Sequence, residues 1–295
     1  MEKINIQFTL FSAFYSPLIA TMAGGFLKQE GLDYEWSVSP PGKSALDALL
    51  DNSADVVQST VSQGFNESAS DYSSLAHFAQ VNNMDGFFIS AREADAGFEW
   101  KKLEGTEVVM FKAGQPNAMF RYACAKAGID YDKIIAVTPG GPKEIDQAFR
   151  AGEGRYVQQQ GPFPQQLEND GIGHVVAQVG KQIGPCAFST LAARRDWLGS
   201  DMSKAFTRAY ANARLFLNET AAAEIARIQQ PFFPDTDARA LEHCIASYQQ
   251  LGCWTPHVEI KPDDYEVTVD VYQTTGIIAQ RVPYGQICVA PPSID

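Results

Sequence analysis

Gly31-Leu32-Asp33, followed by Pro40-Pro41-Gly42-Lys43, is echoed about a hundred residues later by Gly128-Ile129-Asp130 and Pro139-Gly140-Gly141-Pro142-Lys143. The same alternation surrounds each pair. In the first copy Ile4 to Thr9 reads as a strand, and Leu18, Ile19, Met22 and Phe26 recur at helical spacing. Gly31 stops that helix, and Leu32 to Val38 reads as the second strand. After the Pro40-Pro41-Gly42 turn, Ser44 to Asn52 reads as a short amphipathic helix with Ala45, Leu46, Leu49 and Leu50 on one face. Asp55-Val56-Val57 is a short third strand.

The second copy runs in the same order. Glu107 to Phe111 is a strand, Lys112 to Pro116 a loop and Asn117 to Ala127 a helix. Ile134 to Thr138 is the next strand, and Glu144 to Arg150 a helix with Ile145, Ala148 and Phe149 inward. Tyr156-Val157 stands where Val56-Val57 stood. A strand-helix-strand-helix-strand unit repeated once predicts two similar α/β lobes. Phe87 to Ala91 supplies a strand crossing between them, and Ala187 to Leu191 the return. Beyond residue 200 the pattern is mostly helical, with Ala205, Phe206, Ala209, Tyr210, Ala213 and Phe216 sharing a face. Two crossings imply that this region packs back on the first lobe. We therefore expect residues 1–88 with 190–295 as lobe I and 89–189 as lobe II.

The chain of 295 residues exceeds what one core usually organises, which agrees with two lobes. Its formal charge of -12 repels nucleic acid and anionic membranes, and no run of Lys or Arg offsets it. No apolar run reaches the roughly 18 residues of a membrane helix. Met1-Glu2-Lys3 leads directly into the first strand, so the expected location is the periplasm if an export signal has been removed and the cytoplasm if Met1 is the native start. Cys124, Cys186, Cys244, Cys253 and Cys288 show no CxxC and no metal spacing. Their odd number favours buried small residues in a reducing compartment and leaves only a single Cys244–Cys253 bridge open.

The stretch Gly25-Phe26-Leu27-Lys28-Gln29-Glu30-Gly31-Leu32-Asp33 resembles the opening of a family of solute-binding proteins of ABC-type uptake systems for sulfonates, nitrate, taurine and pyrimidine precursors. Ala48-Leu49-Leu50 to Ala54-Asp55-Val56 resembles that family's second phrase. Leu251-Gly252-Cys253-Trp254-Thr255-Pro256 and Asp270 to Gly276 resemble its C-terminal helices. The resemblance covers most of the chain. It implies the type 2 periplasmic-binding-protein fold, in which two α/β lobes joined by two crossings close on a small-molecule ligand. It also implies that the ligand is handed to a membrane permease, that the protein acts as a monomer, and that no cofactor, metal or nucleic acid is involved. One stretch departs from the family: Gly152-Glu153-Gly154-Arg155-Tyr156 replaces its usual small residue and Asp, and Gln158-Gln159-Gln160-Gly161-Pro162 follows.

In open α/β sheets ligands sit beyond the carboxyl ends of the strands, at helix N-termini. The first such loop here offers Phe11, Phe14, Tyr15 and Ser16, aromatic faces for a flat or apolar ligand with hydroxyls beside them. Gly42, Lys43 and Ser44, after Pro41, offer amides, a cation and a hydroxyl at a helix start, a pattern that suits an anion. Ser59 and Thr60 follow the third strand and could either bind a ligand or cap the next helix. Asn82, Gln115, Gln159 and Gln160 bring side-chain amides, which both donate and accept.

Enzymes are also built on this fold, among them hydroxymethylpyrimidine synthases, sulfinate desulfinases and menaquinone-pathway enzymes, so a cytoplasmic enzyme is the alternative reading. Cys186, after Pro185, is the thiol expected near the cleft and would be its nucleophile. Neither the Cys-rich motif of the synthases nor the Arg-His-Gly phrase of the desulfinases is present, and His77, His174, His243 and His257 have no catalytic or metal spacing. Binding without turnover, with no catalytic residue, is the expectation.

Overall fold

The computed structural model describes residues 1–40, 42–65 and 70–294. In β1 (Glu2–Phe8) Ile4, Ile6 and Phe8 are buried and alternate with more exposed residues, the period of a strand. The helix expected to run through Phe26 is two, α1 (Ser16–Ala23) and α2 (Phe26–Gln29). Gly25 lies between them at φ +75°, a left-handed conformation that ends a helix and that glycine adopts without strain. β2 (Leu32–Val38) pairs parallel with β1 along its whole length. The helix expected over Ser44 to Asn52 is the single turn α3 (Asp47–Leu50). Ala45, Leu46 and Leu49 are buried, but Leu50 is exposed, and the chain leaves the turn through Asn52 at φ 64°. β3 (Val56–Ser59) pairs parallel with β1 on its other side, and β4 (Leu75–Asn82) follows, wholly buried.

The chain then crosses. β5 (Phe87–Ala91), β6 (Glu107–Val109), α4 (Gly114–Lys126), β7 (Ile135–Val137), α5 (Pro142–Arg150), β8 (Tyr156–Gln160), α6 (Phe163–Asn169), β9 (His174–Gln178) and α7 (Val179–Ile183) build a second sheet and its helices. α4 begins at Gly114, three residues before the expected helix start, so Gln115 and Pro116 lie in its first turn rather than in a loop. β10 (Ser189–Arg194) returns to the first sheet, antiparallel between β3 and β4.

The sheet orders are β2-β1-β3-β10-β4 and β7-β6-β8-β5-β9. They match position for position. In each sheet three parallel strands are followed by one antiparallel strand, and in each that strand is delivered by a crossing from the other lobe. The duplication expected from the sequence is therefore present as two α/β lobes. Phe87 and Phe88 already pair with Gln160 and Gln159 in the second sheet, whereas Ser189 pairs with Asn82 in the first.

The C-terminal helices are α8 (Asp201–Glu219), α9 (Ala222–Gln229), α10 (Ala238–Leu251), α11 (Pro262–Thr274) and α12 (Tyr284–Ile287). α8 packs on α1 and α2 as expected of a return to the first lobe. α10 and α11 reach further: α10 also lies against α6, and α11 against α4. Arg214 of α8 is fully buried, and its guanidinium donates to the carbonyls of Gln80, Val81 and Thr255. Among the described residues no helix is long and apolar enough to cross a membrane.

Candidate functional site

The carboxyl ends of β1 and β3 in one lobe face those of β6 and β8 in the other, and between them lies a cleft of about 570 Å³. The first lobe contributes Thr9, Leu10 and Tyr15, then Gln58, Ser59, Thr60, Ser62 and Gln63. The second contributes Lys112 to Asn117, Arg121 and Gln160, and the crossings add Phe87, Phe188 and Ser189. Tyr272, Thr275 and Ile277, in and just after α11, close one side.

Polar groups hold these walls in place. Ser59 Oγ donates to Gln63 Oε1 at 2.6 Å, and Tyr272 donates to Ser62 Oγ at 2.8 Å. Gln115 Nε2 donates to the Phe188 carbonyl at 2.7 Å, tying the start of α4 to the return crossing. Tyr15 is buried, and that burial pushes its pKa up to about 12 even though Gln160, Ser189 and Gln58 surround its hydroxyl as hydrogen-bonding neighbours. It is therefore a neutral phenol at any ordinary pH.

The charge of the cleft is one-sided. Lys112 and Arg121 line it, and none of the described lining residues is Asp or Glu. α4 presents its N-terminus there: Gly114, Gln115 and Asn117 line the cleft, and Ala113 before them makes no side-chain cap. Uncapped first-turn amides carry the positive end of the helix dipole and suit an anion. Aromatic surface from Tyr15, Phe87, Phe188 and Tyr272 lies in the same space.

A second, much smaller cavity of about 20 Å³ shares Leu10, Phe87 and Gln160 with the cleft. This slot runs between Phe11 and Ser12 of one lobe and Pro142, Ile145, Gln159, Gly161 and Phe163 of the other, with Phe111 beside them.

The residues expected to bind a ligand fall into three groups. Tyr15, Ser59, Thr60, Gln115 and Gln160 line the cleft. Phe11 and Gln159 line the slot, and Phe11 already stacks on Trp36 at 4.8 Å and on Phe233 at 5.1 Å. The remaining six line neither. Ser12 caps a 3-10 turn over Ala13–Tyr15, which carries Phe14 into the core against Tyr15, Phe188 and Tyr248. Ser16 is buried on Gln229 Oε1 and the Ala13 carbonyl. Asn82 is buried and accepts from the indole of Trp254 at 2.9 Å. Gly42 and Lys43 are exposed away from the cleft, and Ser44 stands behind Gln63 at 3.4 Å. Pro41 lies outside the described residues.

Sequence reasoning missed Lys112, Arg121, Gln63 and the α11 residues as wall residues. Arg121 stands one helical turn after Asn117, a spacing that could have pointed to it. Nothing local marks Tyr272, which only the packing of α11 brings to the cleft.

All five cysteines are unpaired and buried, so Cys244 and Cys253 form no bridge. Cys186 lies on the return crossing, and burial drives its pKa well up, with the charges of Asp85 and Asp264 acting in the same direction. Such a thiol is held protonated. Among the described residues no group of three or more His, Cys, Asp or Glu side chains is placed to hold a metal ion.

Comparison with known proteins agrees with this architecture. The model of the NMT1-like family matches residues 9–229. YtlA of Bacillus subtilis (strain 168), named as a candidate binding protein, is 28% identical over 292 residues, covering 97% of this chain and 87% of that one. The ligand-binding component of an ABC-type import system from Staphylococcus aureus, solved with zinc bound, superposes with a TM-score of 0.77 at 15% identity, over 100% of both chains. The periplasmic aliphatic sulphonate binding protein SsuA from Escherichia coli gives 0.73 at 18% identity, over 100% of this chain and 94% of that one. At these identities the structural likeness carries the fold, the two-lobed type 2 periplasmic-binding-protein fold.

Proposed function

This chain belongs to the NMT1-like family, and we propose that it is the solute-binding component of an ABC-type uptake system. It takes a small organic anion, a sulfonate or carboxylate, into the cleft between its lobes and releases it unchanged to a membrane permease. The observation that carries the ligand class is the charge of the cleft: Lys112, Arg121 and the uncapped N-terminus of α4 line it, and no carboxylate among the described lining residues opposes them. Its volume of about 570 Å³ suits a small organic molecule. The aromatic walls suit a flat or apolar body, so anions on heteroaromatic rings belong to the same class.

Binding works by differential fit. An open arrangement of the lobes offers the ligand one wall, and a closed one offers both and removes water between them. The ligand draws the lobes together by the extra free energy of the second wall. A saturable rise in melting temperature with small sulfonates and carboxylates, together with recovery of the compound intact by mass spectrometry after long incubation, tests this reading. Turnover of the compound, or stabilisation by neutral and cationic solutes alone, overturns it. An export signal upstream, next to permease and ATPase genes, is the observation that would place the protein in the periplasm as one protomer serving a transporter.

A further inference from the structure

Building on the cleft as a small-anion site, we propose that the side slot selects ligands whose apolar or flat body ends in a hydrogen-bond donor (a hydroxyl, an amino group or a ring N–H), with Gln159 Oε1 as the acceptor.

The argument starts from an amide whose orientation is fixed. Gln159 is on β8 and is 2% exposed. Its Nε2 donates to Asp146 Oδ1 at 3.1 Å, and Asp146 in turn accepts from Arg150 Nε at 2.6 Å. A carboxylate paired with a guanidinium can only accept, so the nitrogen of Gln159 must face Asp146 and the oxygen is what remains. That oxygen is buried and has no partner among the described residues.

Gln159 is also a wall of the slot. Much of the rest of the wall is apolar, from Leu10, Phe87, Phe111, Ile145 and Phe163, with Gln160 at the mouth shared with the cleft. Ser12 Oγ, opposite, is already engaged, donating to the Gly161 carbonyl and accepting from Phe14 N. Gln165, whose side-chain oxygen lies against Gly161, is buried with neither end of its amide partnered among the described residues, so polar capacity is unmet at the same corner. A buried acceptor without a donor bears its full desolvation cost, and a ligand that brings the donor removes it. A site built in this way rejects an analogue that lacks the donor more strongly than it rejects one lacking a methylene.

Size sets which part of the ligand enters. The slot's 20 Å³ is room for about one water-sized group. A ring cannot enter, but the terminal group of a ring lying in the cleft can, because slot and cleft share Leu10, Phe87 and Gln160.

The test uses the full chain and three probes with one anionic head: benzenesulfonate, 4-hydroxybenzenesulfonate and 4-methoxybenzenesulfonate. Calorimetry on the unaltered protein should show the hydroxy compound binding about tenfold more tightly than the other two. In Gln159→Leu that preference should shrink to about twofold or less. Equal affinities of the three for the unaltered protein, a measurement that needs no variant to fold, overturn the slot and leave the anion cleft standing. Binding of small aliphatic sulfonates but none of these three has the same meaning. Binding of no sulfonate or carboxylate at all overturns both readings.

Discussion

Ser12 Oγ donates a buried 2.6 Å hydrogen bond to the carbonyl of Gly161, joining the loop after β1 in one lobe to the turn after β8 in the other. Gly161 is held from its other side as well: its N–H donates to the Tyr248 hydroxyl at 2.8 Å, which donates to the Gly86 carbonyl in the first crossing at 3.0 Å. Glycine is required at this point of close approach, because a Cβ there would run into Cys244 Sγ and lie 3.1 Å from the Tyr248 ring.

If the Ser12–Gly161 bond belongs to a ligand-closed state, its loss should act on affinity. A buried neutral hydrogen bond is worth about 1 kcal/mol net. Ser12→Ala should therefore weaken binding of a sulfonate about fivefold in calorimetry. Gly161→Ala, which wedges the two lobes apart, should weaken it more than about tenfold. Unchanged affinity in both variants would mean that the contact only stabilises the fold.

Lys112 and Arg121 are both exposed, so their attraction for an anion is screened by water and salt. Lys112→Ala and Arg121→Ala should each raise the dissociation constant by about three- to tenfold at low salt, and by less at 0.5 M NaCl. Isothermal titration at two ionic strengths checks this. A loss of affinity that does not depend on salt would point to packing, which for Arg121 means its position over the Tyr131 ring at 5.0 Å.

The lobes were legible in the sequence because hydrophobic periodicity and turn residues are local signals, and both repeat. The pattern from Gly128 to Lys143 could be matched to that from Gly31 to Lys43 without knowing any contact. The site was only half legible. Its strand-end loops were found, but within a loop the sequence does not say which side chain faces the cleft. Ser12 caps a turn that buries Phe14 while leaving Tyr15 on the cleft, a one-residue distinction set by backbone geometry. Along β8 the three glutamines alternate faces. Gln158 donates to the Pro116 carbonyl of α4, whereas Gln159 turns to Asp146 of α5. Tyr272 comes from a helix more than eighty residues away in sequence from any cleft residue before it, and only tertiary packing places it.

Arg214 should be a strong stability determinant. It is fully buried with no carboxylate partner among the described residues, and it donates to the carbonyls of buried Gln80 and Val81 and of Thr255. Arg214→Met should cost about 3 kcal/mol, because those carbonyls lose charge-assisted donors while the volume is kept. The expected result in thermal denaturation is a melting temperature lower by about 6–10 °C. A change of a degree or less would show that water replaces the guanidinium.

The pH dependence of stability should reveal two buried groups that oppose each other. Asp85 lies in the first crossing; Phe87 N donates to its Oδ1 at 2.7 Å, and its Oδ2 has no partner among the described residues. Burial pushes its pKa up to about 7 from 3.8, and the Phe87 N–H pulls the other way. Between pH 4 and 7 the unfolded chain has released a proton that the folded chain keeps, so this contribution to stability is full below about pH 4 and lost by about pH 7. His77 has the reverse sign. It is buried on the Thr190 hydroxyl, and burial lowers its pKa to about 3 from 6.5. The unfolded chain takes up a proton that the folded chain refuses, so stability falls as pH falls from about 6.5 towards 3. Over the shared window the two slopes cancel, and the unaltered protein should show little dependence on pH from these groups. Asp85→Asn leaves the His77 slope unopposed. Its stability should climb by about 1.4 kcal/mol per pH unit between pH 4 and 6.5. Above pH 7 it should exceed the unaltered protein by up to about 4 kcal/mol, since it carries no buried carboxylate. Denaturation at pH 4.5, 6 and 8 measures both effects, and curves that stay parallel for the two proteins across that range would remove Asp85 from the account.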